Sequence, residues 1–238
     1  MNLKDKRIVI IGGTSGLGLA TARAAAVRGA EVVIVGRHYE KLEKAKKEIG
    51  GKVEGLTLDV SDEGEIKAFF EYVGKFDHLT TPGSTAHGGP FLTLDTAAAQ
   101  ADFQSKFWGQ YLAAKYGAPR LRPGGSIVFF AGMWSQRPPA GVATFAAINS
   151  AIEGLARALA VELAPIRVNA VSPGLVDTPI YARMPAAQKE AMFKAFAATA
   201  PVKRVGRPEE VAQTVLYLMT NPFTTGSTLY VDGGYLLR

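Results

Sequence analysis

Cysteine is absent from the 238 residues of this sequence. Its absence excludes a disulfide framework, thiolate metal ligands and a cysteine nucleophile. Long apolar runs are also absent. None approaches the ~18 residues of a membrane-spanning helix, and the run at residues 8–11 is too short for a signal peptide. We therefore expect a cytoplasmic protein with no membrane association and no metal site.

Charge of one sign is only slightly in excess, since 27 Lys and Arg face 21 Asp and Glu, a net charge of +6. This bias favours anionic partners such as nucleic acid, a membrane surface or a phosphorylated small molecule. No basic stripe or recognition helix is present, so nucleic acid is the least favoured of these. Glycine is enriched instead: 26 residues exceed the ~7% of average proteins.

Short apolar runs alternate along the chain with segments of helical period. The runs predict strands at residues 8–11, 31–35, 53–58, 78–81, 126–130, 167–171 and 228–231. The periodic segments predict helices at residues 16–28, 40–49, 97–118, 144–163, 186–198 and 208–219, with another beginning at Asp62. This alternation predicts an α/β protein whose parallel sheet is covered by helices on both faces. It continues to the last residues, so we expect one domain over residues 1–238.

The glycines concentrate where the first strand meets the first helix, in the run Gly12-Gly13-Thr14-Ser15-Gly16-Leu17-Gly18. In a βα unit, glycines here allow a tight turn and let the backbone approach a diphosphate at the helix N-terminus. A glycine cluster alone indicates only a tight turn. Its place in the first βα unit makes nucleotide binding the stronger interpretation.

The ends of the next two predicted strands suggest which nucleotide binds. Arg37 and His38 follow the second strand, where an NAD site has an acidic residue for the ribose. A guanidinium suits a 2′-phosphate, so NADP (NADPH) is favoured over NAD. Asp59 and Val60 follow the third strand, where Asp59 either contacts the adenine or caps the next helix.

With these motifs the chain resembles the short-chain dehydrogenase/reductase family nearly end to end. Further matching motifs lie at residues 58–60, 124–128, 167–174, 176–179, 206–211 and 231–234. The resemblance implies a Rossmann-like doubly wound sheet, NAD(P) binding, and a homo-oligomer that is a dimer or tetramer. Together with the motifs above, it gives the cofactor-binding set Gly12, Thr14, Ser15, Gly16, Leu17, Gly18, Arg37, His38, Asp59, Val60, Pro82, Gly83, Asn149, Pro173, Gly174, Val176 and Thr178. A substrate lid is expected at about residues 178–205.

The resemblance fails at the four catalytic positions. The family uses a Tyr for proton transfer, a Lys that holds the ribose, a Ser that binds the substrate oxygen, and a supporting Asn. In that order the positions hold Phe145, Asn149, Gly132 and Lys106. Since Phe145 has no titratable proton, carbonyl reduction by the family's usual mechanism should be nearly abolished.

Two of the replacements exchange residue types, because Lys and Asn have swapped places as Lys106 and Asn149. In one hypothesis Lys106 reaches into the pocket and Asn149 offers its amide to Lys106 or the ribose. In the alternative, weighed equally, Lys106 extends to solvent. Ser135 and His87 are the other candidate catalytic residues, and Tyr181 begins the expected lid.

Three functions remain open. The chain is an NADP-dependent oxidoreductase with a non-standard proton donor, an inactive nucleotide-binding sensor or scaffold, or a non-redox enzyme that reuses the pocket. Phe145 and Trp134, with Phe129 and Phe130 nearby in sequence, would suit a hydrophobic small-molecule ligand or belong to the core.

Overall fold

A computed structural model describes residues 2–83 and 88–238. Its centre is a seven-stranded sheet in the order β3-β2-β1-β4-β5-β6-β7, and every neighbouring pair of strands is parallel. The strands are β1 (Arg7–Ile11), β2 (Glu31–Gly36), β3 (Val53–Thr57), β4 (Phe76–Thr80), β5 (Leu121–Phe130), β6 (Arg167–Pro173) and β7 (Thr228–Val231). The predicted α/β, Rossmann-like fold is confirmed.

Helices cover both faces of the sheet, because the strands are apolar on both sides. They are α1 (Gly16–Ala26), α2 (Tyr39–Ile49), α3 (Glu63–Val73), α4 (Thr96–Asp102), α5 (Gly109–Gly117), α6 (Ala143–Glu162), α7 (Ala186–Thr199) and α8 (Pro208–Thr220). One core cluster joins the sheet to α3, α5 and α6, and a second joins it to α1, α2 and α8. The strand order reverses between β1 and β4, so the ligand crevice lies at the carboxyl ends of these strands.

The region predicted as one helix at residues 97–118 is interrupted. Between α4 and α5 the chain forms a π-helix, Phe103–Trp108. Single π-turns are uncommon and are often found at functional sites. Gly109 follows it, and a Cβ there would lie 3.2 Å from Cγ2 of Val60, so the helix packs tightly on the turn after β3. The single-helix prediction was wrong because a π-turn leaves no mark in helical periodicity.

Strand β6 leads into the segment expected to form the lid. A short 3₁₀ turn, Pro179–Tyr181, and the helix α7 follow it. A small apolar cluster containing Met133, Leu175, Phe196 and Ala200 joins α7 to the loop after β5. Within residues 2–83 and 88–238, no helix has the length and apolar character needed to cross a membrane.

Candidate active site

The glycine turn between β1 and α1 is closed by backbone contact. A Cβ on Gly18 would lie 2.1 Å from the carbonyl oxygen of Gly12, so no side chain fits there. Gly12 has φ +94°, which also favours glycine, and its N–H donates to the carbonyl of Val35 at 2.8 Å. A side chain is therefore excluded at Gly18 and disfavoured at Gly12.

The N-terminus of α1 is open toward the crevice. Ser15 precedes the helix but its side chain makes no capping hydrogen bond, and the first turn contains no acidic residue. The first backbone N–H groups of a helix lack intrahelical partners and favour an anion. Thr178 lies across from this turn, 3.5 Å from the position of a Cβ on Gly16. These residues fit the diphosphate of a dinucleotide.

The segment after β4 lies directly against the glycine turn. A Cβ on Gly12 would come within 2.5 Å of Cα of Gly83, and one on Gly18 within 3.0 Å of Cγ of Pro82. Both predicted residues therefore border the crevice. The candidate His87, farther along this loop, lies outside the described residues.

Arg37 and His38 are exposed at the carboxyl end of β2. Arg37 makes no hydrogen bond or ion pair with the part of the chain that the structure describes, although its charge helps to lower the pKa of Asp59. The glycine turn is close to this end of β2, because a Cβ on Gly36 would lie 2.8 Å from Cγ2 of Thr14. A guanidinium beside the glycine turn is suited to a second phosphate of the nucleotide.

Asp59 organises the turn that follows β3. Its Oδ1 accepts from the backbone N–H of Ser61 at 2.9 Å and from the Ser61 hydroxyl at 2.7 Å, and these bonds are the main cause of its lowered pKa. Asp62 caps α3 by accepting from the N–H of Glu65 at 2.9 Å. Oε2 of Glu65 accepts from the backbone N–H of Asp59 at 2.9 Å. The backbone of Asp59 is therefore bound to the first turn of α3.

Lys106 turns inward from the π-helix. Its Nζ donates to Oδ1 of Asn149 at 2.6 Å and to the carbonyl oxygen of Ala131, just after β5, at 3.2 Å. The ammonium therefore lies at the carboxyl end of β5 rather than extending into solvent. Burial lowers the pKa of Lys106 to about 8, while the nearby charge of Asp102 acts in the opposite direction.

The side chain of Asn149 fills the space beside Gly132, which we expect at the family's serine position. A Cβ built on Gly132 would lie 2.9 Å from Nδ2 of Asn149. Asn149 is buried in α6, with its Oδ1 toward Lys106 and its Nδ2 over Gly132. Lys106, Asn149 and Gly132, three of the four predicted catalytic positions, therefore form one contact group.

Phe145, which we expect at the family's tyrosine position, is only 7% exposed. Its ring packs against Trp134, with ring centroids 5.9 Å apart. Phe129 and Phe130 belong to the two main core clusters, so for these two the core alternative applies. A strand buried on both faces takes aromatic residues into its core without any role in a ligand site.

The hydroxyl of Ser135 is hydrogen-bonded to another side chain of the protein. It donates to Oε1 of Glu153 at 2.6 Å. Glu153 is buried on α6, and its Oε2 also accepts from Gln136 at 3.3 Å and from the hydroxyl of Tyr230 at 3.1 Å. Sequence reasoning missed Glu153, although an acidic residue on the buried face of a long helix is a signal for such a network.

Gln110 is a second residue that sequence reasoning missed. Its Nε2 donates to the carbonyls of Lys106 at 2.9 Å and Phe130 at 3.0 Å. Its Oε1 accepts from the N–H of Phe130 at 2.8 Å and from the hydroxyl of Thr81 at 2.7 Å. The amide thus fastens the π-helix to β5 and β4, which fixes the backbone that carries Lys106. A polar residue within an apolar helical stretch was the available signal.

The remaining predicted residues lie on the lid side. A Cβ on Gly174 would lie 2.8 Å from Cα of Asp232, so the turn after Pro173 packs on the segment after β7. Val176 forms a bridge with Gly206 at the two ends of the expected lid. Burial, followed by the charge of Asp177, raises the pKa of Tyr181 to about 12, which opposes a role for its phenol as a proton donor near neutral pH.

The whole chain has recognisable relatives. The sequence model described as "Enoyl-(Acyl carrier protein) reductase" matches residues 12–236. A short-chain dehydrogenase/reductase of Stachybotrys chlorohalonatus is 34% identical and covers 99% of both chains. This chain belongs to the short-chain dehydrogenase/reductase family. The resemblance stated from its motifs is confirmed.

Solved structures of this family have the same fold as the chain. A small-chain dehydrogenase in complex with NADPH is 37% identical, with a TM-score of 0.86 and coverage of 99% of this chain and 100% of that one. The MalC reductase/Diels-Alderase of Malbranchea aurantiaca is 30% identical, with a TM-score of 0.92 and coverage of 99% and 98%. The chain therefore shares its whole fold with solved members of this family.

Proposed function

We propose that this protein binds NADP(H) and acts as an oxidoreductase on a small-molecule carbonyl or alcohol, with Lys106 in place of the family's tyrosine. The contact between Nζ of Lys106 and Oδ1 of Asn149 at 2.6 Å carries the proposal. It holds a titratable cation at the carboxyl end of β5, where an α/β sheet binds its ligand. A family member solved with NADPH and the open N-terminus of α1 support the cofactor.

NADP is favoured over NAD by Arg37. It is exposed beside the glycine turn and has no hydrogen-bond partner among the described residues, so its guanidinium is available to a 2′-phosphate. No acidic side chain follows β2 at residues 37 and 38 to bind the ribose hydroxyl of NAD.

Lys106 supplies the proton that Phe145 cannot. When bound, NADPH would supply the hydride that reduces the substrate carbon. The substrate oxygen takes a proton from the Lys106 ammonium, and the neutral amine then regains a proton from solvent. A pKa of about 8 suits this exchange near neutral pH. A positioned general acid contributes roughly 10²–10⁴-fold to the rate.

Aromatic side chains favour a hydrophobic substrate and self-association. The rings of Phe145 and Trp134 pack against each other in a tilted arrangement near the predicted catalytic residues. On the outer face of the π-helix, Trp108 is 43% exposed and contacts the rings of Phe107 and Tyr111. This exposed ridge supports the proposed homo-oligomer, a dimer or a tetramer, whose mass light scattering after gel filtration would measure.

A nucleotide-binding protein without turnover is the second candidate, and the replacement of the tyrosine by Phe145 favours it. The two functions separate experimentally. Calorimetry measures whether NADPH binds. The absorbance change at 340 nm measures NADPH oxidation with ketones, imines and enones, and so tests turnover. Turnover that falls at least about 100-fold in Lys106→Met, with unchanged NADPH affinity, supports the oxidoreductase. NADPH binding without any turnover in the wild type supports the second candidate.

A further inference from the structure

We propose that the side-chain amide of Asn149 is the hydrogen-bond donor to the substrate oxygen, acting from the space above Gly132. This inference rests on the proposed oxidoreductase function and assigns a catalytic residue to it. It also explains why Lys, Asn and Gly stand together at these three positions.

The space above Gly132 is set by Asn149 rather than by the backbone. A Cβ on Gly132 would lie 2.9 Å from Nδ2 of Asn149, closer than real Cβ contacts allow, and 3.4 Å from its Cγ. The φ angle of Gly132, 169°, is extended and open to any residue. With Asn149 in this position, its amide occupies the volume that a serine side chain at residue 132 would take.

The direction of the amide follows from its partner. Lys106 donates to Asn149 at 2.6 Å, and an ammonium has no acceptor, so the carbonyl oxygen of the amide must face Lys106. The NH₂ group then faces Gly132. Among the described residues it donates to no other atom, so its N–H groups are available to a ligand.

Lys106 also makes this amide a better donor. A charge-assisted hydrogen bond to Oδ1 withdraws electron density from the amide nitrogen, and linked hydrogen bonds strengthen each other in a low-dielectric site. The amide itself is held on the long helix α6, and Asn149 is 2% exposed. A fixed, polarised donor at a developing oxyanion is worth roughly 10²–10³ in kcat.

Two substitutions test the donor. Asn149→Asp keeps the oxygen that accepts from Lys106 and replaces the NH₂ group by an acceptor. Gly132→Ala adds the Cβ that displaces the amide. We expect each to lower kcat for ketone reduction, measured at saturating NADPH, by about 100-fold or more. Gly154→Ala on the same helix is the matched control and should keep wild-type kcat, because the added Cβ would have Nη2 of Arg157 at 3.9 Å as its nearest neighbour outside the helix backbone.

A measurement other than turnover separates donation from structural support. With ¹³C=O-labelled acetophenone on the NADP⁺-loaded protein, difference infrared spectroscopy should show a lower carbonyl stretching frequency in the wild type than in Asn149→Asp. An identical frequency in the two proteins, or wild-type kcat in either variant, overturns the inference. If Lys106→Met abolishes turnover while Asn149→Asp does not, the proposed function stands and the role of Asn149 falls. If the wild type binds no NADPH, the proposed function itself fails.

Discussion

The pH dependence of carbonyl reduction follows directly from the environment of Lys106. Burial at the carboxyl end of β5 lowers its pKa to about 8, against 10.5 for a lysine in water. The reduction uses the protonated form as its acid. The protonated fraction falls from about nine-tenths at pH 7 to about one-tenth at pH 9, so kcat/KM for reduction should fall about tenfold over this range. An unperturbed lysine would give a flat profile up to pH 9.

The assay is the initial rate of NADPH oxidation from pH 6 to 10 at subsaturating substrate. Lys106→Arg is the matched variant, because a guanidinium stays protonated over the whole range. We expect its remaining activity to be independent of pH between 7 and 9. In the direction of alcohol oxidation the neutral amine is the base, so the wild-type rate should rise over the same interval. A wild-type reduction rate that is flat to pH 10, or a fall near pH 8 that persists in Lys106→Arg, would refute the assignment.

Three further predictions concern the predicted nucleotide-binding residues and a buried histidine. Gly18→Ala places a Cβ 2.1 Å from a backbone carbonyl and should abolish NADPH binding in calorimetry, whereas Gly154→Ala should bind normally and unfold at the same or a slightly higher temperature. Arg37→Ala should weaken NADPH binding by about 10- to 100-fold and leave NADH binding unchanged, since only NADPH carries the 2′-phosphate; equal losses for both would contradict its role. Burial lowers the pKa of His78 to about 4 in the folded protein. As pH falls from 6.5 toward 4, His78 is therefore protonated in the unfolded chain but not in the folded one, and the free energy of unfolding decreases. This loss, up to about 3 kcal/mol in urea unfolding, should shrink in His78→Asn, which retains an amide for the 2.9 Å contact with Ser126.

The fold and the position of the glycine turn could be predicted from the sequence because their signals are local. The alternation of strands and helices repeats along the chain, and the glycines at Gly12, Gly16 and Gly18 lie within one turn. Each strand or turn is specified by neighbouring residues, so periodicity and glycine spacing were sufficient.

The contacts among Lys106, Asn149 and Gly132 could be predicted only in part from the sequence, because they join positions that are distant along the chain. Lys106 and Asn149 are 43 residues apart, and their exchange was visible only as two replaced positions. The sequence left the direction of the Lys106 side chain open, because the π-helix that turns it inward has no periodic signature. The conflict between Asn149 and a side chain on Gly132 is a matter of packing, which no motif records. Gln110 and Glu153 escaped for the same reason.

Transfer of deuterium from NADPH labelled at nicotinamide C4 to a carbonyl substrate tests the central claim most directly. The wild type and Lys106→Met would be compared by mass spectrometry of the product at equal NADPH saturation. Exposed Lys67→Met on α3 would serve as the control. We predict label in the alcohol product of the wild type and of Lys67→Met, and at least about 100-fold less with Lys106→Met. Equal label transfer by Lys106→Met would contradict the claim that Lys106 replaces the tyrosine.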